Sequence, residues 1–256
     1  MTIRTKDDLL SQLKSISHRG WIPNARPGNV GGVGNTLEDL LGIQENNLPI
    51  PNASEWELKC QRAATSSLTT LFHMEPSPRA LKFVPSMLLP LYGWPHKSIP
   101  AEMSFRQTIN GLSRTDRGFG IVVDRSARKV QVSFDAHAVA PRHAAWLNCV
   151  AQRVGLAELN PQPYWGFDDL FHKAATKLLN SFYVRAQTKR EAGLEHFWYK
   201  EIKLLEQLSL DQFLRAIEQA FVLVDFDART NHNHGTKFRL KQDHLPDLYA
   251  RVTDVI

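Results

Sequence analysis

The apolar side chains of this chain change spacing repeatedly, from every third or fourth residue to every second and back, which commits it to a mixture of helices and strands. Leu9, Leu10, Leu13 and Ile16 recur at helical spacing up to Gly20, behind a helix-start signature of Thr5 and Asp8. Residues 24–34, rich in Gly, Pro and Asn, read as a flexible loop leading into a short helix over 36–41 that stops at Gly42. Pro49 and Pro51 then punctuate a turn, and residues 54–60 alternate polar and apolar, the pattern of a strand. On such a strand Glu55, Glu57 and Lys59 share one face, while Trp56 and Leu58 point to the other.

The proline-rich stretch 74–101 has little periodicity and reads as a long loop or crossing. Residues 120–124 and 130–135 flank a polar turn and look like a hairpin. Leu170, Phe171, Ala174 and Leu178 mark an amphipathic helix within 167–181, and a strand-like run, 181–187, follows it. Ser209 with Gln212 forms a capping box ahead of Phe213, Leu214, Ile217 and Phe221. The alternation of the two periods indicates an α/β or α+β architecture.

At 256 residues the chain can bury a full core as one large domain or two packed lobes. With 43% hydrophobic and 22% charged residues it has a globular composition, which excludes a disordered or fibrous chain. Lys and Arg number 31 against 26 Asp and Glu, a formal charge of +5 that is compatible with a polyanionic partner. Arg106, Arg114, Arg117, Arg125, Arg128 and Lys129 fall in a middle stretch with few acids, suited either to tracking phosphates or to a solvated hairpin face. Cys60 and Cys149 make neither a metal-ligand spacing nor a disulfide framework, and residues 1–10 lack an apolar signal region. No apolar run approaches the roughly 20 residues needed to span a bilayer, so the expectation is a cytoplasmic protein.

The chemically suggestive segment is 52–59. Phosphodiester hydrolysis needs a divalent metal on hard oxygen ligands, a positioned water and positive charge near the phosphorus. Glu57 and Lys59, two apart on a strand, can supply a carboxylate for the metal and an ammonium for the water or the developing charge. The bland alternative is a solvated pair on an amphipathic strand, which is what Glu-x-Lys usually is.

Four blocks in order carry a family resemblance: GNTLEDLLGIQENNLPIPNASEWELKCQR, SSLTTLFHMEPSPR, YWGFDDL and NHNHGTKFRL. Together they resemble the MvaI/BcnI family of type II restriction endonucleases, relatives of MutH within the PD-(D/E)xK superfamily. Residues 135–163 match it poorly. The resemblance implies a restriction-endonuclease-like, MutH-like mixed sheet flanked by helices, with two lobes around a DNA cleft: residues 1–100 mainly catalytic, 101–256 mainly DNA recognition. It also implies double-stranded DNA as substrate, a short CC-N-GG-like site, Mg²⁺ as cofactor, a monomer that nicks each strand in turn, and a companion DNA methyltransferase.

The catalytic pattern of that family is Asp, four residues, then Glu-x-Lys. Glu57 and Lys59 fall on the Glu and Lys, and Asn52 stands at the Asp position. Glu38 matches a helix Glu that joins the site in MutH-like relatives. Asn in place of Asp keeps the shape, removes a charge and leaves one carbonyl oxygen, which weakens Mg²⁺ binding. Three explanations stand open: an engineered substitution, a naturally degenerate site, or rescue by Glu55 or Glu38. Two other functions also stand open, a catalytically dead sequence-specific DNA-binding protein and a MutH-like strand-nicking repair enzyme.

By the same resemblance His73 lies near the central base pair, a place where one branch of the family has His, and tilts the expected centre toward C or G. The segment holding Asp225, Asp227, Arg229, His232, His234, Lys237 and Arg239 suits reading G·C pairs, since Arg bridges guanine O6 and N7 and Asp accepts from cytosine N4. A polar surface loop and a metal site at His232 and His234 are the alternatives for this segment.

Overall fold

In the computed structural model the described residues are 5–43, 56–64 and 67–256. Asn52 and Glu55 lie outside them. The chain forms α1 (Lys6–His18), β1 (Ile22–Pro23), α2 (Gly32–Leu41), β2 (Trp56–Arg62), β3 (Leu68–His73), α3 (Leu89–Tyr92), β4 (Trp94–Pro95), β5 (Met103–Ile109), β6 (Arg117–Asp124) and β7 (Lys129–Val139). It continues through α4 (Ala144–Val154), β8 (Tyr164–Gly166), α5 (Phe167–Leu178), β9 (Asn180–Glu191), β10 (Leu194–Leu208), α6 (Leu210–Glu218), β11 (Val222–Arg229), β12 (His232–Lys241) and β13 (Tyr249–Asp254).

Two compact units result, each built from separate stretches of chain. The first comprises 1–67, 174–209 and 242–256; the second comprises 68–173 and 210–241.

In the first unit the sheet runs β1-β10-β9-β2, with β13 also on β10. Among the described residues only β2 pairs parallel, on β9; the other neighbours are antiparallel, so the sheet is mixed. Thr5 starts α1 with a reciprocal cap: its hydroxyl accepts from the Asp8 N–H at 3.2 Å, and the Asp8 carboxylate accepts from the Thr5 N–H at 3.2 Å. Leu9, Leu13 and Ile16 of α1 and Val33, Leu37 and Leu41 of α2 share one core with Trp56 and Leu58 of β2 and with Phe182, Phe197 and Tyr199.

Helix α2 begins at Gly32, inside the stretch expected to be loop, and ends on Gly42 in the left-handed region (φ 61°). The glycine at 32 permits a close approach, because a Cβ there would come within 2.9 Å of the Asn24 amide. Residues 74–101 are also more structured than expected, with short helical turns at Arg79–Leu81 and Val84–Leu88 running into α3.

The second unit contains the sheet β3-β12-β11-β5-β4 and a three-stranded sheet β6-β7-β8, all antiparallel. The expected hairpin at 120–135 is β6–β7. Aromatic rings dominate its interior: Phe238 lies 5.0 Å from Phe72 and 5.1 Å from Trp165, centroid to centroid, and is fully buried. Removing that ring deletes both its transfer free energy and its packing. Phe238→Ala is expected to cost about 3–5 kcal/mol in urea unfolding followed by fluorescence; a loss below about 1 kcal/mol would contradict this account of the core.

Candidate active site and nucleic-acid interface

Strand β2 presents two chemically different faces. Trp56 and Leu58 enter the apolar core, while Glu57 points the other way and is still only 1% exposed. A solvated pair, the bland expectation, is therefore not what forms. The Lys59 ammonium donates to Glu57 Oε1 at 2.6 Å, and the Lys177 ammonium stands 3.6 Å from the same oxygen. An ionised carboxylate at this depth costs several kcal/mol unless such partners compensate it.

The parallel pairing of β2 with β9 brings these groups together. Trp56 is in register with Asn180, Glu57 with Ser181 and Lys59 with Tyr183. Because α5 ends at Leu178 and β9 starts at Asn180, the last turn of α5 carries Lys177 to the start of β2. Ser181 Oγ and the Tyr249 hydroxyl lie 2.8 Å apart beside Glu57. Burial pushes the Tyr249 hydroxyl above its usual range, and the Glu57 charge pushes it further. Further along the same face, Gln61 donates to Asp243 at 3.1 Å.

Glu38 sits on α2, half-buried, on the helix that packs with the Leu58 side of β2. Its charge is felt at Cys60, whose thiol is raised first by burial and then by Glu38. Cys60 and Cys149 are free thiols. Lys177 and Tyr249 were not among the residues singled out from sequence. Their signal is tertiary, since a lysine in the last turn of an amphipathic helix ordinarily marks a solvated face.

The second group of expected residues is gathered by the sheet of the second unit. On β11, Val222, Val224, Phe226 and Ala228 are buried, and Asp225, Asp227 and Arg229 occupy the alternate positions. On β12, Phe238 and Leu240 are buried while Lys237 and Arg239 alternate with them. The segment is thus a β-hairpin, with a bulge between Phe226 and Ala228, and not a loop. Cross-strand registers place Asp225 opposite Lys237 and Lys237 opposite His73.

Opposite charges interlock across this face. Lys237 lies 3.5 Å from Asp227, and Arg239 lies 3.5 Å from Asp225. Strand β5 adds two residues that sequence reading did not assign to the face. Arg106 pairs with Asp227 at 2.7 Å, and the Thr108 hydroxyl donates to Asp225 at 3.0 Å. Arg229 pairs with Glu102 at 3.0 Å. His232 and His234 stack edge to face at 4.1 Å near the turn, and among the described residues no third His, Cys, Asp or Glu joins them.

Most of the other basic residues of the middle stretch have internal roles. Arg117 lies over the Trp94 ring at 4.0 Å, Arg125 bridges Asp211 and Glu218 at 3.0 Å each, and Arg128 pairs with Asp168 at 2.6 Å.

Glu75 braces the His73 end of the face. Its carboxylate accepts from the Thr236 N–H at 2.9 Å and from the Thr236 hydroxyl at 3.1 Å, next to Lys237. The His73 ring is exposed overall, yet partial burial lowers its pKa, the Lys237 charge lowers it further, and Glu75 opposes both.

Residues 10–249 match the sequence model of the MvaI/BcnI restriction endonuclease family. The chain belongs to this family. The structure is similar to that of the restriction endonuclease MvaI in complex with its cognate DNA substrate, with a TM-score of 0.73, 25% identity, and coverage of 99% of this chain and 100% of that one. MvaI in the absence of DNA gives a TM-score of 0.62 at 24% identity, with both chains fully covered. A search of curated protein sequences returns no match. Membership makes the chain a site-specific deoxyribonuclease of the type II restriction endonuclease class, one that generally uses a divalent metal. No helix among the described residues is long and apolar enough to cross a membrane.

Replacing Lys237 by Met should raise the His73 pKa, measured by NMR titration of the imidazole, toward the ordinary histidine value. Burial, the larger cause, stays in place, so the recovery should be partial. A fall, or no change, would rule out the charge coupling between these cross-strand neighbours.

Proposed function

We propose that this chain is a Mg²⁺-dependent endonuclease that hydrolyses double-stranded DNA at a short CC-N-GG-like site, acting as a monomer that nicks each strand in turn. The unit holding β2 and β9 performs the chemistry, and the unit holding β3, β5, β11 and β12 reads the sequence. A companion DNA methyltransferase belongs to this reading, because a site-specific nuclease needs its own sites protected. The observation that carries the catalytic assignment is the Glu57 carboxylate, 1% exposed and held at 2.6 Å by Lys59. A buried ion pair with no polar role to serve is a poor structural investment, since apolar residues of similar volume stabilise as well or better.

A hard divalent cation takes oxygen donors: among the described residues no group of three His, Cys, Asp or Glu gathers, and Glu57 offers one carboxylate oxygen, to which Asn52, outside the described residues, would add an amide oxygen. When bound, the metal would lower the pKa of a water and neutralise charge on the phosphate. Lys59 orients the attacking water or meets the charge that develops as water attacks phosphorus in line. The leaving group is the 3′ oxygen, so the products carry 5′-phosphate and 3′-hydroxyl ends. The resemblance also gives Glu38 a supporting contact to metal or water, although α2 packs on the Trp56–Leu58 side of β2, the face opposite Glu57.

On the reading face, Arg229 and Arg239 offer forked donors to guanine O6 and N7, and Asp225 offers an acceptor for cytosine N4. His73 and Lys237, in register on adjacent strands, face the central base pair. A His held toward its neutral form offers one donor and one acceptor, which suits a C·G or G·C centre. His232 and His234, near the hairpin turn, make the flanking DNA contacts.

Asn52 favours a second reading, a DNA-binding protein on a disabled nuclease scaffold. Plasmid cleavage in Mg²⁺ separates the two. Asn52→Asp should cut at discrete sites faster than the parent chain, and adding Glu57→Ala or Lys59→Ala to Asn52→Asp should slow cleavage at least about a hundredfold while sparing specific binding. Specific binding without any cutting by Asn52→Asp would establish the disabled scaffold instead.

A further inference from the structure

The Glu57 carboxylate has more positive charge against it than its burial requires. Lys59 stands 2.6 Å from Oε1, at the length of a charge-assisted hydrogen bond, and Lys177 stands 3.6 Å from the same atom. One such partner at hydrogen-bond distance already neutralises a buried carboxylate. We infer that Lys177 is a tethered cation that competes with the divalent metal for the Glu57 carboxylate, and so sets how much metal the site needs. This inference rests on the reading of Glu57 as a metal ligand.

The local geometry suits a competitor. The last turn of α5 is fastened to the start of β2 through the parallel β2–β9 register, so the Lys177 ammonium stays at high effective concentration near Glu57. Of the two lysines it makes the longer contact and is the more exposed, 30% against 18% for Lys59, and so has the room to withdraw. Two ammonium groups and a divalent ion cannot all crowd one carboxylate without strong mutual repulsion, so the more weakly held cation must yield when metal arrives. A lysine that merely supported the fold would make metal binding weaker or leave it unchanged when removed. A competitor makes it tighter, and that difference in sign is the test.

The experiment is Mn²⁺ binding to the full chain, read by electron paramagnetic resonance, with folding of each variant checked by circular dichroism. Lys177→Met should bind Mn²⁺ about tenfold more tightly than the parent, the scale on which one charge a few ångströms away shifts an ionic equilibrium. Lys177→Arg, which keeps the charge, should stay near the parent. Lys177→Gln serves in place of Lys177→Met if that variant does not fold. Glu57→Gln should remove the site.

Equal or weaker binding by Lys177→Met, including no binding by either protein, overturns the competition. If binding depends on Glu57 and ignores Lys177, only this inference falls. If Mn²⁺ binds equally well to Glu57→Gln, the metal-ligand reading of Glu57 falls and takes the inference with it.

Discussion

A carboxylate enclosed by protein and held between two ammonium groups is the constraint on which the first unit depends. Ionised Glu57 cannot be placed at that depth without a cation at hydrogen-bond distance, which Lys59 supplies, with Lys177 further off as a second positive charge. Lys59 comes from the same strand by the two-residue period, whereas Lys177 comes from a helix end positioned by the parallel register of β2 and β9. The strand itself is held by its other face, where Trp56 and Leu58 join the core built with α1 and α2. Packing and chemistry thus use alternate residues of one short segment. A shift of one residue in the register would exchange the two faces and lose both.

The second unit applies the same alternation to a different end. Its sheet buries valines, phenylalanines and leucines on one side and leaves Arg106, Asp225, Asp227, Lys237 and Arg239 on the other. These charges satisfy one another across strands at distances from 2.7 to 3.5 Å. Side chains held this way are partly ordered before any ligand arrives, so less conformational entropy remains to be lost on binding. The longer pairs are also the easier ones to exchange for other hydrogen-bond partners.

Local chemistry made much of this legible. The Thr5–Asp8 cap, the stop at Gly42, the β6–β7 hairpin, the β2 strand and the helix before β9 all follow from short patterns, because a cap, a turn or a two-residue period acts within a few residues. Glu57 and Lys59 were found by the same period. Lys177, Thr108 and Glu75 were not, and Arg106 stood out only as one of a basic stretch, since each takes its position from a partner far away in sequence and looks locally like any solvated residue. The start of α2 at Gly32 was hidden by a glycine-rich composition that ordinarily signals a loop, where the glycine in fact permits the approach of Asn24. Asn52 and Glu55 fall outside the described residues, so their part in the site rests on sequence alone.

The parallel pairing of β2 and β9 has a consequence for the life of the chain. Every residue from 68 to 173 is made between the two strands, and Tyr249, beside the same carboxylate, emerges later still. A ribosome releases β2 long before its partner exists, so Glu57 waits in solvent, and the lysine that reaches it from α5 arrives only after the second unit's first segment is complete. A nascent or truncated copy that stops before α5 therefore carries the Glu-x-Lys segment without the enclosure that surrounds it here.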